Sequence, residues 1–207
     1  MRVRPVTPDA LVDELASAVA AIDRPWVRVA VDGAPSTGSD SVAGALVEAL
    51  RVLGRFALPV PAEGFWKAAS LRLERGRTNP DGFYEDWLDL GGLSREVLSR
   101  VGPGGDGRVL PSLWDAGTDR ATRAPYVPVP PGGVIVVSGA LLLGAGLEFD
   151  FTVHLAQTAA ARARRTEPAW AWTLPAFERY TAEVMPELLA DVVVRVDDPR
   201  HPAVVDP

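Results

Sequence analysis

The chain has 207 residues, of which 47% are hydrophobic and 23% charged, and its formal net charge is −6. These values are typical of a globular protein, and they argue against disorder and against a nucleic-acid binder, which needs a concentrated basic face. No apolar run approaches the ~20 residues of a transmembrane helix, and acidic residues interrupt the N-terminal stretch where a signal peptide would be apolar. We therefore expect one cytoplasmic domain over 1–207, with no nucleic-acid or membrane partner.

Two residue types are scarce. Cysteine is absent, which excludes disulfides, thiolate-bound zinc and cysteine nucleophiles. The two histidines, His154 and His201, lie in a predicted strand and in the C-terminal tail, without the company that a metal site or a catalytic triad needs. No metal-ligating set is predicted. Lys67 is the only lysine, so the basic groups available to an anion are mostly arginines.

The first part of the chain predicts a helix, then a strand, a loop and a second helix. Thr7-Pro8 is typical of a helix start, and the β-branched run after residue 26 is typical of a central parallel strand. The predicted elements are a helix over 8–22, a strand over 27–31, a helix over 40–53 and a strand over 56–60.

The rest of the chain continues the alternation of strands and helices. The predicted elements are a helical stretch over 83–100 broken at Gly91-Gly92, a hairpin over 108–131, strands over 134–137, 149–155 and 192–196, and helices over 158–165 and 175–189. We expect the tail over 197–207 to be frayed. The alternation indicates an α/β fold with a doubly wound, mainly parallel sheet, whose ligands bind at the carboxyl ends of the strands.

Residues 33–41 form a glycine loop between the first strand and the second helix. Its spacing is that of a phosphate-binding P-loop, G-x-x-x-x-G-K-[ST]. Gly33 and Gly38 are in place, but Ser39 stands at the lysine position and Asp40 at the hydroxyl position that ligates magnesium. A plain strand-to-helix turn is the alternative, and an Asp40 that capped its own helix would compete with an anion.

The order of segments over nearly the whole chain resembles the uridine kinase family of P-loop nucleoside kinases, in an actinobacterial form with a degenerate Walker A motif. The segments that carry the resemblance are VRVAVDG at 27–33, EGF at 63–65, RGRTNPDGFYEDWLDL at 75–90, VVSG at 136–139 and FERYTAEVMPELLADVVVRVDDP at 177–199. The resemblance implies a three-layer P-loop sandwich with a helical lid at about 156–173. It also implies ATP and magnesium as cofactors, and transfer of the γ-phosphoryl group to a nucleoside 5′-hydroxyl.

The resemblance also implies roles for individual residues. Glu63 falls where an acid accepts the proton of the acceptor hydroxyl, Thr78 where an acid holds the sugar, and Ser138 where an acid supports the metal. The residues that would bind the cofactor are Gly33, Ser36, Thr37, Gly38, Ser39, Asp40 and Ser41 in the loop, and Arg162, Arg164 and Arg165 in the lid.

Other candidates come from residue type and spacing. Lys67 lies four residues after Glu63, so a helical turn would place both on one face, and Lys67 could then supply the missing catalytic cation. The candidates for binding the substrate are Glu63, Trp66, Arg77, Thr78, Tyr84 and Trp114. The alternatives are a solvated acid, a surface lysine, core aromatics and, for the lid arginines, the polar face of a helix.

Two functions remain open at this point. Loss of the lysine, an added Asp40 and loss of the strand-end acid all weaken phosphoryl transfer, because a single preorganised donor contributes ~3 kcal/mol. An ATP-dependent kinase with a nucleotide or nucleoside as its small-molecule partner is one hypothesis, and a non-catalytic pseudokinase with a binding or regulatory role is the other. A homo-oligomer is left open.

Overall fold

The computed structural model describes residues 2–206, and for Asp206 the backbone alone. The strands are β1 Arg2–Pro5, β2 Trp26–Asp32, β3 Ala57–Pro61, β4 Arg108–Val109, β5 Trp114–Asp115, β6 Arg120–Ala121, β7 Val127–Pro128, β8 Gly133–Gly139, β9 Phe151–Ala156, β10 Val192–Arg195 and β11 Ala203–Asp206. The helices are α1 Pro8–Ala20, α2 Ser39–Val52, α3 Ala69–Arg72, α4 Pro80–Glu85, α5 Leu90–Leu93, α6 Ala159–Arg165, α7 Leu174–Glu183 and α8 Pro186–Leu189.

Seven strands form the main sheet in the order β1-β11-β10-β9-β2-β8-β3. The five strands from β10 to β3 are parallel, whereas β11 pairs antiparallel with both β10 and β1. The doubly wound, mainly parallel α/β sheet predicted from the alternation of elements is confirmed. Because β2 is flanked by β8 and β9, the segment that follows it emerges at the middle of the sheet's carboxyl edge.

Both faces of the sheet are covered, so the central strands are apolar on each side. On one face, α1 and α2 pack Leu15 and Leu46 against the buried side chains of Val29 and Val136. On the other, Ile135 packs with a second cluster that includes Leu93, Val97, Leu98 and Tyr180. The two cores hold β2 and β8 rigidly, and the site is built at their ends.

Three predicted elements differ in the structure. The stretch over 83–100 is interrupted before Gly91, not at it: Asp89 caps the amide of Gly92, and the helix starts at Leu90. The helix predicted over 175–189 is split, because Met185 has a positive φ of 51° and Pro186 begins a new turn. The tail was expected to fray, but Ala203–Asp206 is a strand of the main sheet.

The predicted hairpin over 108–131 is present as two short ladders. β4 pairs antiparallel with β7, and β5 pairs antiparallel with β6. Trp114 lies in this hairpin and its indole N–H donates to the Asp119 carboxylate over 2.9 Å. No described helix is long and apolar enough to cross a membrane.

Candidate active site

A cleft of about 450 Å³ opens at the carboxyl edge of the sheet, between the ends of β2, β3 and β8 and the segment over 165–177. Its lining includes Gly33, Pro35, Ser36, Ser39, Asp40, Glu63, Trp66, Phe83, Tyr84, Glu85, Trp87, Arg165, Thr166, Glu167, Trp170, Thr173 and Phe177.

The glycine loop forms one end of the cleft. After β2 the chain makes a 3₁₀ turn at Pro35–Thr37, Gly38 adopts a left-handed φ of 78°, and α2 starts at Ser39 with no side-chain cap. At Gly33 a Cβ would lie 2.5 Å from Thr37 Oγ1, so only glycine fits there. The first turn of a 14-residue helix is therefore open toward the cleft, which is the arrangement that binds anions.

A buried polar network holds the base of the loop. Asp32, the last residue of β2, accepts hydrogen bonds from the Leu142 amide over 2.9 Å and the Tyr180 hydroxyl over 3.0 Å, and its Oδ2 lies 2.7 Å from His154 Nδ1. Burial and the charge of Asp32 raise the pKa of Tyr180, which therefore stays protonated. His154, predicted to be structural, ties β9 to β2 directly below the loop.

Asp40 does not cap its own helix. Its Oδ1 accepts a hydrogen bond from the hydroxyl of Ser138, the penultimate residue of β8, over 2.5 Å. Two of the positions at which the chain departs from the residues expected by resemblance are thus in direct contact. A hydroxyl and a carboxylate still meet there, but the helix now supplies the carboxylate and the strand supplies the hydroxyl.

Glu63 lies across the cleft in a short 3₁₀ turn, Ala62–Phe65, after β3. Glu63 is exposed to solvent overall, but the cleft around its carboxylate removes part of the hydration. This partial desolvation, together with the charge of Asp40, raises the pKa of Glu63 above its usual range. The described residues offer it no cationic partner.

Arg165 is the basic residue that lines the cleft among those the structure describes. Its Nε donates to the carbonyl of Ser36 over 3.3 Å, which places the guanidinium against the glycine loop. No described carboxylate forms an ion pair with it. Arg165 is therefore free to bind an anion beside the glycine loop.

Arg162 lies elsewhere, behind the loop. It lines a second cavity of about 40 Å³ together with Thr37 and His154. Its guanidinium is stacked on Phe177 and its Nε has no hydrogen-bond partner, and burial lowers its pKa. It therefore packs the lid against the core.

Aromatic side chains form the opposite end of the cleft. Trp66 and Trp87 meet edge to face with ring centroids 5.1 Å apart, and Trp170 is within 6.3 Å of both. Phe83 and Phe177 continue the wall. Trp87 is buried in the structure but still contributes a surface to the cleft.

The structure brings together only part of the predicted site. The predicted residues that line the cleft are Gly33, Ser36, Ser39, Asp40, Glu63, Trp66, Tyr84 and Arg165. Those that do not line it are Thr37, Gly38, Ser41, Lys67, Arg77, Thr78, Trp114, Arg162 and Arg164. Lys67 does not line the cleft. Its catalytic role, and the binding and catalytic roles of the other predicted residues, remain predictions.

The cleft residues that were not foreseen include Glu167 and Trp170. Both belong to the EPAWAW segment after α6, where Pro168–Thr173 forms a 3₁₀ turn that folds over the cleft. The tryptophan-rich composition of this segment inside the expected lid was the available signal. The composition alone could not show that the segment lines the cleft, because Trp170 meets Trp66 from a distant part of the chain.

Comparison with solved structures identifies the fold. A proposed uridine kinase from Bacillus stearothermophilus superposes with a TM-score of 0.71 at 19% sequence identity, over 88% of this chain and 96% of that one. The chain has a uridine-kinase-like P-loop fold. A proposed fructose transport system kinase from Silicibacter sp. TM1040 matches this P-loop fold with a TM-score of 0.59 at 23% identity, over 83% of this chain and 95% of that one.

The sequence itself carries less information about relatives. No protein-family model matches the chain, and no curated protein sequence is similar to it. At these identities the solved structures establish the P-loop fold alone. The function has to be argued from the residues of the cleft.

Proposed function

We propose that this protein is a P-loop small-molecule kinase that binds magnesium-ATP at the loop over 33–41 and transfers the γ-phosphoryl group to a hydroxyl held beside Glu63. The observation that carries the proposal is the hydrogen bond between Ser138 and Asp40. Loss of the loop hydroxyl alone, or of the strand-end acid alone, would remove part of a magnesium site. Here both changes occur together, so the carboxylate is carried by α2 and the hydroxyl by β8.

The exchanged pair suits magnesium. Mg²⁺ prefers oxygen ligands and is usually held by one or two carboxylates with water and substrate phosphates completing its shell. Asp40 would hold the ion through Oδ2, the oxygen that Ser138 leaves free, and Ser138 would fix the carboxylate's orientation. Bound magnesium would draw negative charge from the phosphate oxygens. No described group of three or more His, Cys, Asp or Glu side chains could hold a metal alone, so the nucleotide would complete the site.

Arg165 and the open first turn of α2 would bind the phosphates. An arginine fork makes two charge-assisted hydrogen bonds to phosphate oxygens where a lysine supplies a point charge. The helix amides supply donors whose dipole favours an anion. These groups replace the missing lysine from the lid side of the cleft, with the segment over 156–173 acting as the lid.

Glu63 would serve as the general base. In the transfer, the acceptor oxygen forms a bond to the γ-phosphorus, the bond from that phosphorus to ADP breaks, and the acceptor proton passes to the Glu63 carboxylate. A raised pKa brings a carboxylate closer to the operating pH, which favours this role.

Titration calorimetry with ATP, with and without magnesium, tests the proposal. We expect Arg165→Ala to weaken magnesium-ATP binding about tenfold, the equivalent of ~1.4 kcal/mol, because a charge-assisted phosphate contact is lost. Arg120→Ala is the matched control, since Arg120 is exposed on β6 and does not line the cleft. Absence of magnesium-ATP binding at millimolar concentration would end the kinase proposal.

A pseudokinase is the second candidate, and the charge of the cleft favours it. Asp40 and Glu63 repel phosphate, and Arg165 is the cation that opposes them among the described lining residues. A protein that binds nucleotide but transfers no phosphoryl group to any hydroxyl or to water would be of this kind. Release of ADP, measured after nucleotide binding has been shown, separates the two candidates.

A further inference from the structure

The part of the cleft away from the glycine loop has its own chemistry, and we call it the acceptor half. It is walled by aromatic rings and carries carboxylates. Its residues are Glu63, Trp66, Phe83, Tyr84, Glu85, Trp87, Glu167, Trp170 and Phe177.

Three indoles form a corner in the acceptor half. The Trp66 and Trp87 planes meet at 76°, Trp87 and Trp170 at 74°, and Trp66 and Trp170 at 49°. Arg72 already lies over the Trp87 ring at 5.5 Å, so Trp66 and Trp170 are the indoles of this corner that are available to attract a cation or an apolar body.

The free charge in the acceptor half is negative. Glu63 and Glu167 have no ion-pair partner among the described residues, whereas Glu85 is paired with Arg75 over 2.7 Å and with Arg179 over 2.8 Å. The pairing neutralises Glu85 within the protein. A ligand that fills this half therefore meets two carboxylates that have no partner in the protein.

Hydroxyl groups in the same region are already engaged. Thr166 donates to the Arg162 carbonyl over 2.8 Å and Thr173 donates to the Trp170 carbonyl over 2.7 Å. Apart from the carboxylates and the indole N–H groups, few side chains remain that could form hydrogen bonds with a base or a sugar. Both acids are exposed to solvent, so a neutral nucleoside that covered them would remove water from two unpaired charges, which is costly.

We infer that the acceptor half binds a compound with a protonated amine and an apolar body, and that this compound also carries the hydroxyl that is phosphorylated. The ammonium lies against the indole faces within reach of Glu167, and the hydroxyl lies beside Glu63. This assignment of the acceptor rests on the proposed kinase function for its transfer step, but the amine preference is a property of the cleft itself.

Binding of small probes tests the amine preference without nucleotide. Calorimetry, supported by tryptophan fluorescence, compares phenylalaninol with the analogue in which a methyl group replaces the amine, and with uridine. We expect phenylalaninol to bind about tenfold more tightly than the methyl analogue, because only the amine gains the cation–π and carboxylate contacts. Equal binding of the pair, tighter binding of uridine, or no binding of any probe would overturn the inference.

Charge-neutralising variants locate the preference. Glu63→Gln and Glu167→Gln combined should abolish it, whereas Glu74→Gln, an exposed acid outside the cleft, should preserve it. A preference that survives the double variant overturns the assignment to these carboxylates. Failure of magnesium-ATP to bind while phenylalaninol binds selectively would refute the kinase proposal and leave the amine preference standing.

Discussion

Ser39 and Asp40 change the charge of the loop without closing it. The lysine's positive charge is gone and a carboxylate has been added, yet Gly38 still turns the chain and α2 still presents uncapped amides. Asp40 is directed to Ser138 and not back to its own helix. The cation that approaches the loop now comes from Arg165.

Glu63 gives the first residue-scale prediction. Because burial and Asp40 raise its folded pKa, the ionised carboxylate destabilises the native state at pH values above that pKa. We expect Glu63→Gln to raise the melting temperature at pH 7, and the gain to disappear below about pH 4, where the glutamate is protonated in both folded and unfolded chains.

Differential scanning fluorimetry over this pH range measures the effect. Glu74→Gln, on an exposed position, should show no such gain. A Glu63→Gln variant that is less stable than the wild type at pH 7 would show that the carboxylate is compensated by its surroundings.

At the scale of elements, a buried ion pair joins β2 to the start of β9. The Arg28 guanidinium contacts Asp150 over 2.9 Å, and the side chains are 7% and 3% exposed. Burial acts to raise the Asp150 pKa, but the hydrogen bonds and charge of Arg28 outweigh it, so the pKa lies below its usual value. This pair helps to fix the two strands whose other ends carry Asp32 and His154.

We expect Asp150→Asn to lower the free energy of unfolding by about 3–5 kcal/mol at pH 7, because it leaves the buried Arg28 without its buried carboxylate partner. The lowered pKa means that the wild-type contribution is present above the unfolded pKa of about 3.9 and is lost as the pH falls through the folded pKa. The gap between the two proteins should therefore narrow only in strong acid.

Urea unfolding at a series of pH values measures that gap. Glu148→Gln is the control, since Glu148 contacts the same arginine but is 79% exposed, and such pairs contribute at most about 1 kcal/mol. Equal losses for the two variants would contradict the assignment of the stabilisation to the buried partner.

The elements themselves show what the sequence could and could not reveal. The apolar run before Gly33 predicts β2 almost to the residue, because a strand buried on both faces leaves a continuous apolar pattern. The prediction of one helix over 175–189 was wrong at Pro186, where a new helix begins. The apolar periodicity continues through Pro186, but proline removes a backbone donor and interrupts the helix.

The site was harder to predict than the fold. Ser138 and Asp40 looked like two separate losses, because their contact spans 98 residues and periodicity reports nothing about such contacts. Trp170 and Glu167 line the cleft because the segment after α6 folds back over it. Glu63 was proposed from the resemblance to uridine kinases, and it does line the cleft.

For the whole molecule, the C-terminal segment completes the sheet. β11 lies between β1 and β10, so a tail that was expected to fray joins the first strand to the rest of the fold. Val204 is 9% exposed and packs into the core shared by α1 and α2. We expect a chain that ends at Asp197 to unfold at a lower temperature and to lose amide protection in β1 and β10.

Hydrogen exchange and thermal melting of the truncated chain measure this contribution. Removal of Pro207 alone is the control. Unchanged protection of β1 in the chain that ends at Asp197 would show that its pairing with β11 contributes nothing to the fold.

The exchange of groups between Asp40 and Ser138 is most directly tested by reversing it. We measure the dissociation constant of ATP by calorimetry with and without magnesium in the wild type, in Asp40→Ser, and in the double variant Asp40→Ser/Ser138→Asp. We predict that magnesium tightens ATP binding in the wild type, that Asp40→Ser loses this effect, and that the double variant recovers it because a carboxylate and a hydroxyl again meet. ATP binding that is indifferent to magnesium in the wild type, or a folded double variant that recovers nothing, would contradict it.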